Sequence, residues 1–166
     1  GNILWGKTYQ KKEPGLVVLQ SELARELIRT LSVPVTVKTQ EKVAKRGTEN
    51  SDAYRLYLSG VFYARKITEK DIHQAIDLFS QAIDKDPKYA KAYAAMASAR
   101  RSLTMCCDGH PVELVQAKSD AQKAVALDDE LGEGHSALAA SLYSYDWNWA
   151  EAEKEFQRAL ELDPNS

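Results

Sequence analysis

The sequence predicts an all-α fold of three stacked helical hairpins, preceded by a short strand and an amphipathic helix. Three observations carry that prediction. The first is a recurring phrase: AIDKDP (82–87), AVALDD (124–129) and ALELDP (159–164), spaced by 42 and then 35 residues, each with Ala first and Asp fifth. Self-similarity at periods of about 20–50 residues marks a repeat architecture. The second is an apolar pattern of helical period running from Ser51 almost without interruption. The third is punctuation, since helix start and stop signals fall where that pattern breaks.

From the front, ILWGKTY (3–9) has the β-branched and aromatic mix of a strand. A strand alone at the start of a chain has nothing to pair with, so it is expected to come from an upstream sheet. Opening on Gly1-Asn2, the chain is read as a piece of a longer protein. Leu16, Leu19, Leu23, Leu27 and Leu31 form one stripe of an amphipathic helix behind Pro14-Gly15. Val33–Val37 is extended, because Pro34 disfavours helical geometry at Val33. Residues 39–46 can form a short helix that Gly47 stops. Residues 1–50 hold nine Lys/Arg against five Asp/Glu, and 51–166 hold thirteen against nineteen. That shift places a boundary near residue 50.

In the first hairpin, Ala53, Leu56, Tyr57, Gly60 and Tyr63 share one face. Thr68 caps the next helix, with Asp71 in capping-box position. Ile72, Ala75, Ile76, Phe79, Ala82 and Ile83 follow on one face before Pro87 ends it. A partner helix begins near Tyr89 with Ala92, Tyr93, Met96 and Ala97. After a turn at Cys107–His110, Pro111 suits a first helical position and Glu113 the positive end of the helix dipole. Asn148 followed by Glu151 is a capping box for the last helix.

Each hairpin resembles a tetratricopeptide repeat (TPR). Second helices of that family carry Ala, a large aromatic, Ala and Pro at spacings of four, three and five. The matches are Ala75, Phe79, Ala82, Pro87 and Ala152, Phe156, Ala159, Pro164, with a weaker set at Ala117, Ala121, Ala124, Asp129. First helices fit through Leu56, Ser59, Gly60, Tyr63, then Tyr93, Met96, Ala97, then His135, Leu138, Ala139, Leu142; Arg100 stands where an aromatic belongs. The resemblance implies a right-handed superhelix with units at about 53–87, 88–129 and 130–164. Gly60, Ala82, Ala97, Ala124, Ala139 and Ala159 would let helices approach closely, with Phe79 and Phe156 filling space between hairpins. The departures lie in the turns within hairpins, which carry three, eight and one extra residues. Lengthening the second turn costs only about 0.6 kcal/mol in loop closure, so a longer first helix with a Met105–His110 tip is expected.

LWGKTY, LQSELARELIRTL and QEKVAKRGTENSDAYRLYLSG also look like the junction between a TolB-like domain and following repeats. Such junctions occur in bacterial multidomain regulators, with a DNA-binding, kinase or cyclase part upstream. Residues 1–50 would then be the remnant of the TolB-like α/β domain plus linker.

Chemistry is sparse. Net charge of −2 gives no general nucleic-acid surface, and no apolar run reaches the length of a membrane span. His73, His110 and His135 are scattered. His110 near Cys106 and Cys107 is thin for zinc, which takes four ligands. The adjacent cysteines read as two thiols, buried or in a loop. Neither a phosphate loop nor a nucleophile elbow occurs, so no enzyme, cofactor or metal is expected.

The function expected is protein–protein interaction. In the resembled fold, first helices line a concave groove, which here maps to Tyr54, Tyr57, Val61 and Ala64, then Lys91, Ala94, Ser98 and Arg101, then Glu133, Ser136, Ala140 and Tyr143. A peptide or helix from a protein partner would lie there. The family's carboxylate clamp for chaperone tails is absent, since Tyr57, Val61, Ala95, Glu133 and Ala137 occupy its positions. The alternative is a structural or dimerising segment, because the last helix has an apolar face with no polar cap after it. Further repeats, or self-association through the C-terminal repeat, would cover that face.

Overall fold

The computed structural model describes residues 47–107 and 111–164. The expected strand at 3–9, the leucine helix and the short helix at 39–46 lie outside the described residues. Six α-helices follow one another within them: α1 (Ser51–Ala64), α2 (Glu69–Lys85), α3 (Ala90–Cys106), α4 (Pro111–Leu127), α5 (Gly132–Ser141) and α6 (Trp149–Leu162). A π-helical turn over Leu142–Asp146 lies between α5 and α6.

The caps work as their residue types require. Asn50 starts α1, its Oδ1 accepting from the N–H groups of Asp52 and Ala53 at 3.0 Å each. Its Nδ2 donates to the Lys85 carbonyl at 2.9 Å and ties the start of α1 to the end of α2. Thr68 Oγ1 accepts from Asp71 N–H at 3.2 Å, and Asn148 Oδ1 from Glu151 N–H at 3.3 Å. Pro111 is the first residue of α4.

Helices pair as α1–α2, α3–α4 and α5–α6, and these hairpins stack through α2–α3 and α4–α5. First helices also meet one another, α1 with α3 and α3 with α5. The stack therefore curves with its first helices on the inside. The close approaches fall on the expected small residues, for Ala82, Ala97, Ala124, Ala139 and Ala159 are all buried. Gly60 is the tightest point: a Cβ there would stand 2.5–3.0 Å from the Phe79 ring. Phe79 in turn fills the space between the first two hairpins among Ile72, Ala75, Ile76, Met96, Ala99 and Leu103.

The recurring phrase owes its effect to Asp rather than Pro. Asp86 N–H donates to the Ala82 carbonyl and Asp86 O accepts from Tyr89 N–H, both at 3.0 Å. Asp128 repeats this with Ala124 and Leu131, although no proline follows it. Each Asp side chain also accepts from the N–H two residues on, Lys88 at 3.0 Å and Glu130 at 3.1 Å. This Asx turn leaves the helix without help from a pyrrolidine ring. Asp86 further accepts a hydrogen bond from the Thr48 hydroxyl.

The extra turn residues are handled in three ways. In the first hairpin Ile67 takes left-handed geometry (φ 54°) just before the Thr68 cap. In the second, α3 runs on to Cys106, as expected of a lengthened helix. In the third, the single extra residue is taken up by the π-helical turn, a recognised way to insert one residue into a helix. Trp147 (φ 55°) closes it before the Asn148 cap.

Two expectations are corrected. Cys106 and Cys107 are not thiols: their sulfurs are bonded to each other where α3 ends and Cys107 leaves helical geometry (φ −141°). Phe156 is exposed, unlike Phe79, because no described helix packs on that side of α6 as α3 packs on α2.

Candidate interaction groove

The inner face is built from α1, α3 and α5. Tyr57 projects from α1 onto Phe79 (ring centroids 5.9 Å) and Tyr89 (5.2 Å). Burial pushes its phenol up to about 12, and the Glu133 carboxylate of the third hairpin adds to the shift. Two residues far apart in sequence thus share one electrostatic environment on the inner face. Tyr89 is fully buried, and burial raises its phenol too. Its hydroxyl has no hydrogen-bond partner among the described residues.

Beside these rings lies a cavity of about 210 Å³ between the first two hairpins. Val61, Ala64, Ile72, Phe79, Ala95 and Ala99 make it apolar, with Arg65, Ser98 and Ser102 as its polar lining. It suits one apolar side chain, in keeping with the concave and mostly apolar character of binding sites. Ser102 gives its hydroxyl hydrogen to the Ser98 carbonyl at 2.9 Å, so its oxygen faces the cavity as an acceptor only.

The mapped residues divide. Val61, Ala64 and Ser98 line the cavity, and Tyr57 and Glu133 lie within electrostatic reach. Lys91, Ser136 and Ala140 are half-buried, whereas Glu133 is exposed. Arg101 sets its guanidinium 2.8 Å from Met105 Sδ. Tyr54 and Ala94 are buried, and Ala94 packs with Ala90, Ala124 and Leu131. Both are buried rather than open to the groove; for Ala94 the cause is the second hairpin, which closes over a position that a simple count along the helix leaves open. Tyr143 falls in the π-helical turn, where counting along a regular helix no longer gives direction. It stands edge-on to Trp149 at 5.5 Å instead.

The count also missed Tyr89 and Phe79 as floor of the inner face. Tyr89 sits at a helix start, where the pattern of inner-face positions does not reach. Arg100, in place of an aromatic, bonds Asp120 through Nε at 3.0 Å and Glu113 through Nη1 at 2.7 Å, joining α3 to α4 by ion pairs. His135 is buried and fastens the third hairpin: Nε2 donates to the Asp129 carbonyl at 2.9 Å, and Nδ1 meets Glu155 at 2.6 Å.

Among the described residues no group of three His, Cys, Asp or Glu could hold a metal ion. None of the described helices is long and apolar enough to cross a membrane.

No family model matches the chain. Among curated proteins it is 28% identical over 144 residues to "Putative adenylate cyclase 3" of Rhizobium meliloti (strain 1021). The match covers 86% of this chain, which spans only 24% of that relative. Among solved structures it is similar to the first TPR of Spaghetti (RPAP3) bound to the HSP90 peptide SRMEEVD, with a TM-score of 0.59 and 27% identity over 72% of this chain and 86% of that one. It is also similar to the first TPR domain of the human RPAP3 protein, with a TM-score of 0.58 and 28% identity over 69% and 81%. A mutant of MamA shares the fold at a TM-score of 0.51 and 19% identity, over 89% and 97%. Six helices in stacked hairpins, with small residues at their crossings and these structural neighbours, give the described residues the fold of a TPR domain.

Proposed function

We propose that this chain is the interaction module of a larger bacterial regulatory protein and holds a peptide or helix of a protein partner on its inner face. The observation that carries the reading is the apolar cavity of about 210 Å³ opening between α1 and α3. An anchor of one apolar side chain would fill it, and Tyr57, Glu133, Lys91 and Arg101 would supply polar contacts along the rest of the groove. Amphipathic tyrosines suit such contacts because one end is apolar and the other is polar. The structural neighbour with a bound HSP90 peptide supports peptide binding in general. This chain lacks the clamp residues, so a partner with other terminal chemistry is expected. The cyclase-named relative supports the regulatory setting, in which chemistry belongs to other parts of the whole protein.

Selection of peptides from a displayed random library against residues 1–166, followed by NMR mapping, tests the groove. Bound peptides should perturb Val61, Ala95 and Ser98 and lose affinity with Ser98→Tyr, which plugs the cavity from an exposed position. Peptides that map elsewhere and ignore Ser98→Tyr would sink the assignment. The reading frame around these residues tests the setting: an upstream effector domain is expected, and a free-standing repeat protein would overturn it.

A second reading, a structural or dimerising segment, is favoured by the exposed Phe156 and Leu160 on α6. Their equivalents on α2 are covered by α3, so this face is shaped to receive a further helix.

A further inference from the structure

The cavity between the first two hairpins has one charged residue in its lining, Arg65, which is exposed. Burial and the Glu133 carboxylate push the Tyr57 phenol up, and the Arg65 charge pulls against them. The guanidinium therefore acts on the inner face, beside the cavity that its residue lines. With its phenol pushed up to about 12, Tyr57 is uncharged at neutral pH and offsets none of that charge.

Elsewhere in the described residues cations meet carboxylates. Arg55 pairs with Asp52, Lys66 with Asp71, Arg100 with Glu113 and Asp120, and Lys118 with Asp146. No carboxylate among the described residues pairs with Arg65, Lys91 or Arg101. Arg101 meets only the uncharged Met105 sulfur. Against these three cations the mapped inner-face positions hold a single acid, Glu133. The inner face is thus positive in a chain whose net charge is −2.

We infer, resting on the reading of the cavity as an anchor site, that the bound segment is acidic. One of its apolar side chains fills the cavity, and an Asp or Glu next to that anchor pairs with Arg65. A guanidinium presents a planar fork of donors that matches a carboxylate with two parallel hydrogen bonds. A cationic segment would instead set like charges against Arg65, Lys91 and Arg101. Ser102 can only accept, so it suits an N–H of the segment and not its acid. The positions of the family's terminal-carboxylate clamp hold no cation, and two of them, Val61 and Ala95, wall the cavity. The acid is accordingly a side chain within the segment and not a chain end.

A random peptide library displayed as fusions, without free C-termini, tests the inference by parallel selection on residues 1–166 and on Arg65→Glu. Both proteins are checked by circular dichroism, and NMR locates the bound peptides. Peptides that perturb Val61 and Ala95 should carry Asp or Glu within about two residues of an apolar anchor, and Arg65→Glu should select Lys or Arg there instead. Replacing that acid by its amide should raise Kd about fivefold on the wild type and hardly at all on Arg65→Gln. Cavity-bound peptides without an acid, or an acid preference that survives Arg65→Glu, would overturn the inference and leave the anchor reading standing. Peptides that map elsewhere and ignore Ser98→Tyr, or a selection that yields no binder, would overturn both.

Discussion

Gly60→Ala is the sharpest test of how the first two hairpins meet. In an exposed helix interior the change should stabilise by roughly 1 kcal/mol, because alanine loses less backbone entropy than glycine. Here the added Cβ would meet three Phe79 ring atoms at 2.5, 2.7 and 3.0 Å. Tyr57 lies tilted against the ring and Ile72, Met96 and Leu103 pack around it, so the ring can yield only toward the cavity it lines. Overpacking of this kind costs about 1–3 kcal/mol. Offset by the helix gain, a net loss of up to about 2 kcal/mol is expected in urea unfolding. Phe79→Leu shortens the side chain on the far partner, so the double variant should lose less than the sum of the single losses. Stabilisation by Gly60→Ala, or additivity of the pair, would refute the contact and with it the explanation of why a glycine stands there. The same experiment reports on the groove, because Phe79 lines the cavity.

Four further predictions rest on local geometry. Ile67→Asn should stabilise by about 1 kcal/mol in urea melts by relieving left-handed strain. Tyr89→Phe should be neutral or stabilising by about 1 kcal/mol, since a buried hydroxyl without a partner costs folding energy; clear destabilisation would mean that the hydroxyl is bonded. The Asp120 carboxyl is pushed up to about 6, chiefly by burial, with Arg100 pulling it down and Glu113 pushing it up. A carboxyl raised in the folded state contributes stability below its unfolded pKa and loses it as pH rises through about 6. Allowing for solvent screening, stability should therefore fall by about 1–2 kcal/mol between about pH 4 and 7, and Asp120→Asn should flatten that slope. Asn148→Ala should cost about 1 kcal/mol by removing the cap of α6.

The helices were legible because their signals are local. Thr68, Asn148 and Pro111 mark starts, and the Ala–Phe–Ala spacing of α2 puts those three residues on one face wherever the helix sits. What the sequence could not show is which side of a repeat position another hairpin covers. Ala94 occupies a position that should open to the groove, yet it lies against Ala124 and Leu131. Phe156 has the signature of buried Phe79 and is exposed, because burial depends on a neighbour and not on the residue itself. The ion pairs of Arg100 were equally hidden. An arginine breaks the aromatic pattern, and only packing reveals that Glu113 and Asp120 stand ready on the next helix.

The turns within hairpins show where the repeat constrains the chain and where it does not. Stacking fixes residues at helix crossings, where one methyl group at Gly60 would collide with a ring. At the hairpin turns the constraint is looser, and the chain accepts three, eight or one extra residues through a left-handed isoleucine, a prolonged helix and a π-helical turn. Freedom of that kind normally fills with small polar residues that fit tight geometry, because turn chemistry favours Gly, Asn and Asp. Here the same positions hold isoleucine and tryptophan in conformations that suit neither, flanked by phenylalanine and methionine. Part of that apolar area is packed within the turns themselves: the Trp147 and Trp149 rings lie 6.4 Å apart, Tyr143 stands 5.5 Å from Trp149, and Lys66 lies over the Phe62 ring. Ile67 holds left-handed backbone at φ 54°. Stabilisation by Ile67→Asn would mean that the first hairpin requires the left-handed turn and not the isoleucine side chain; destabilisation would mean that the side chain contributes more than the strain costs.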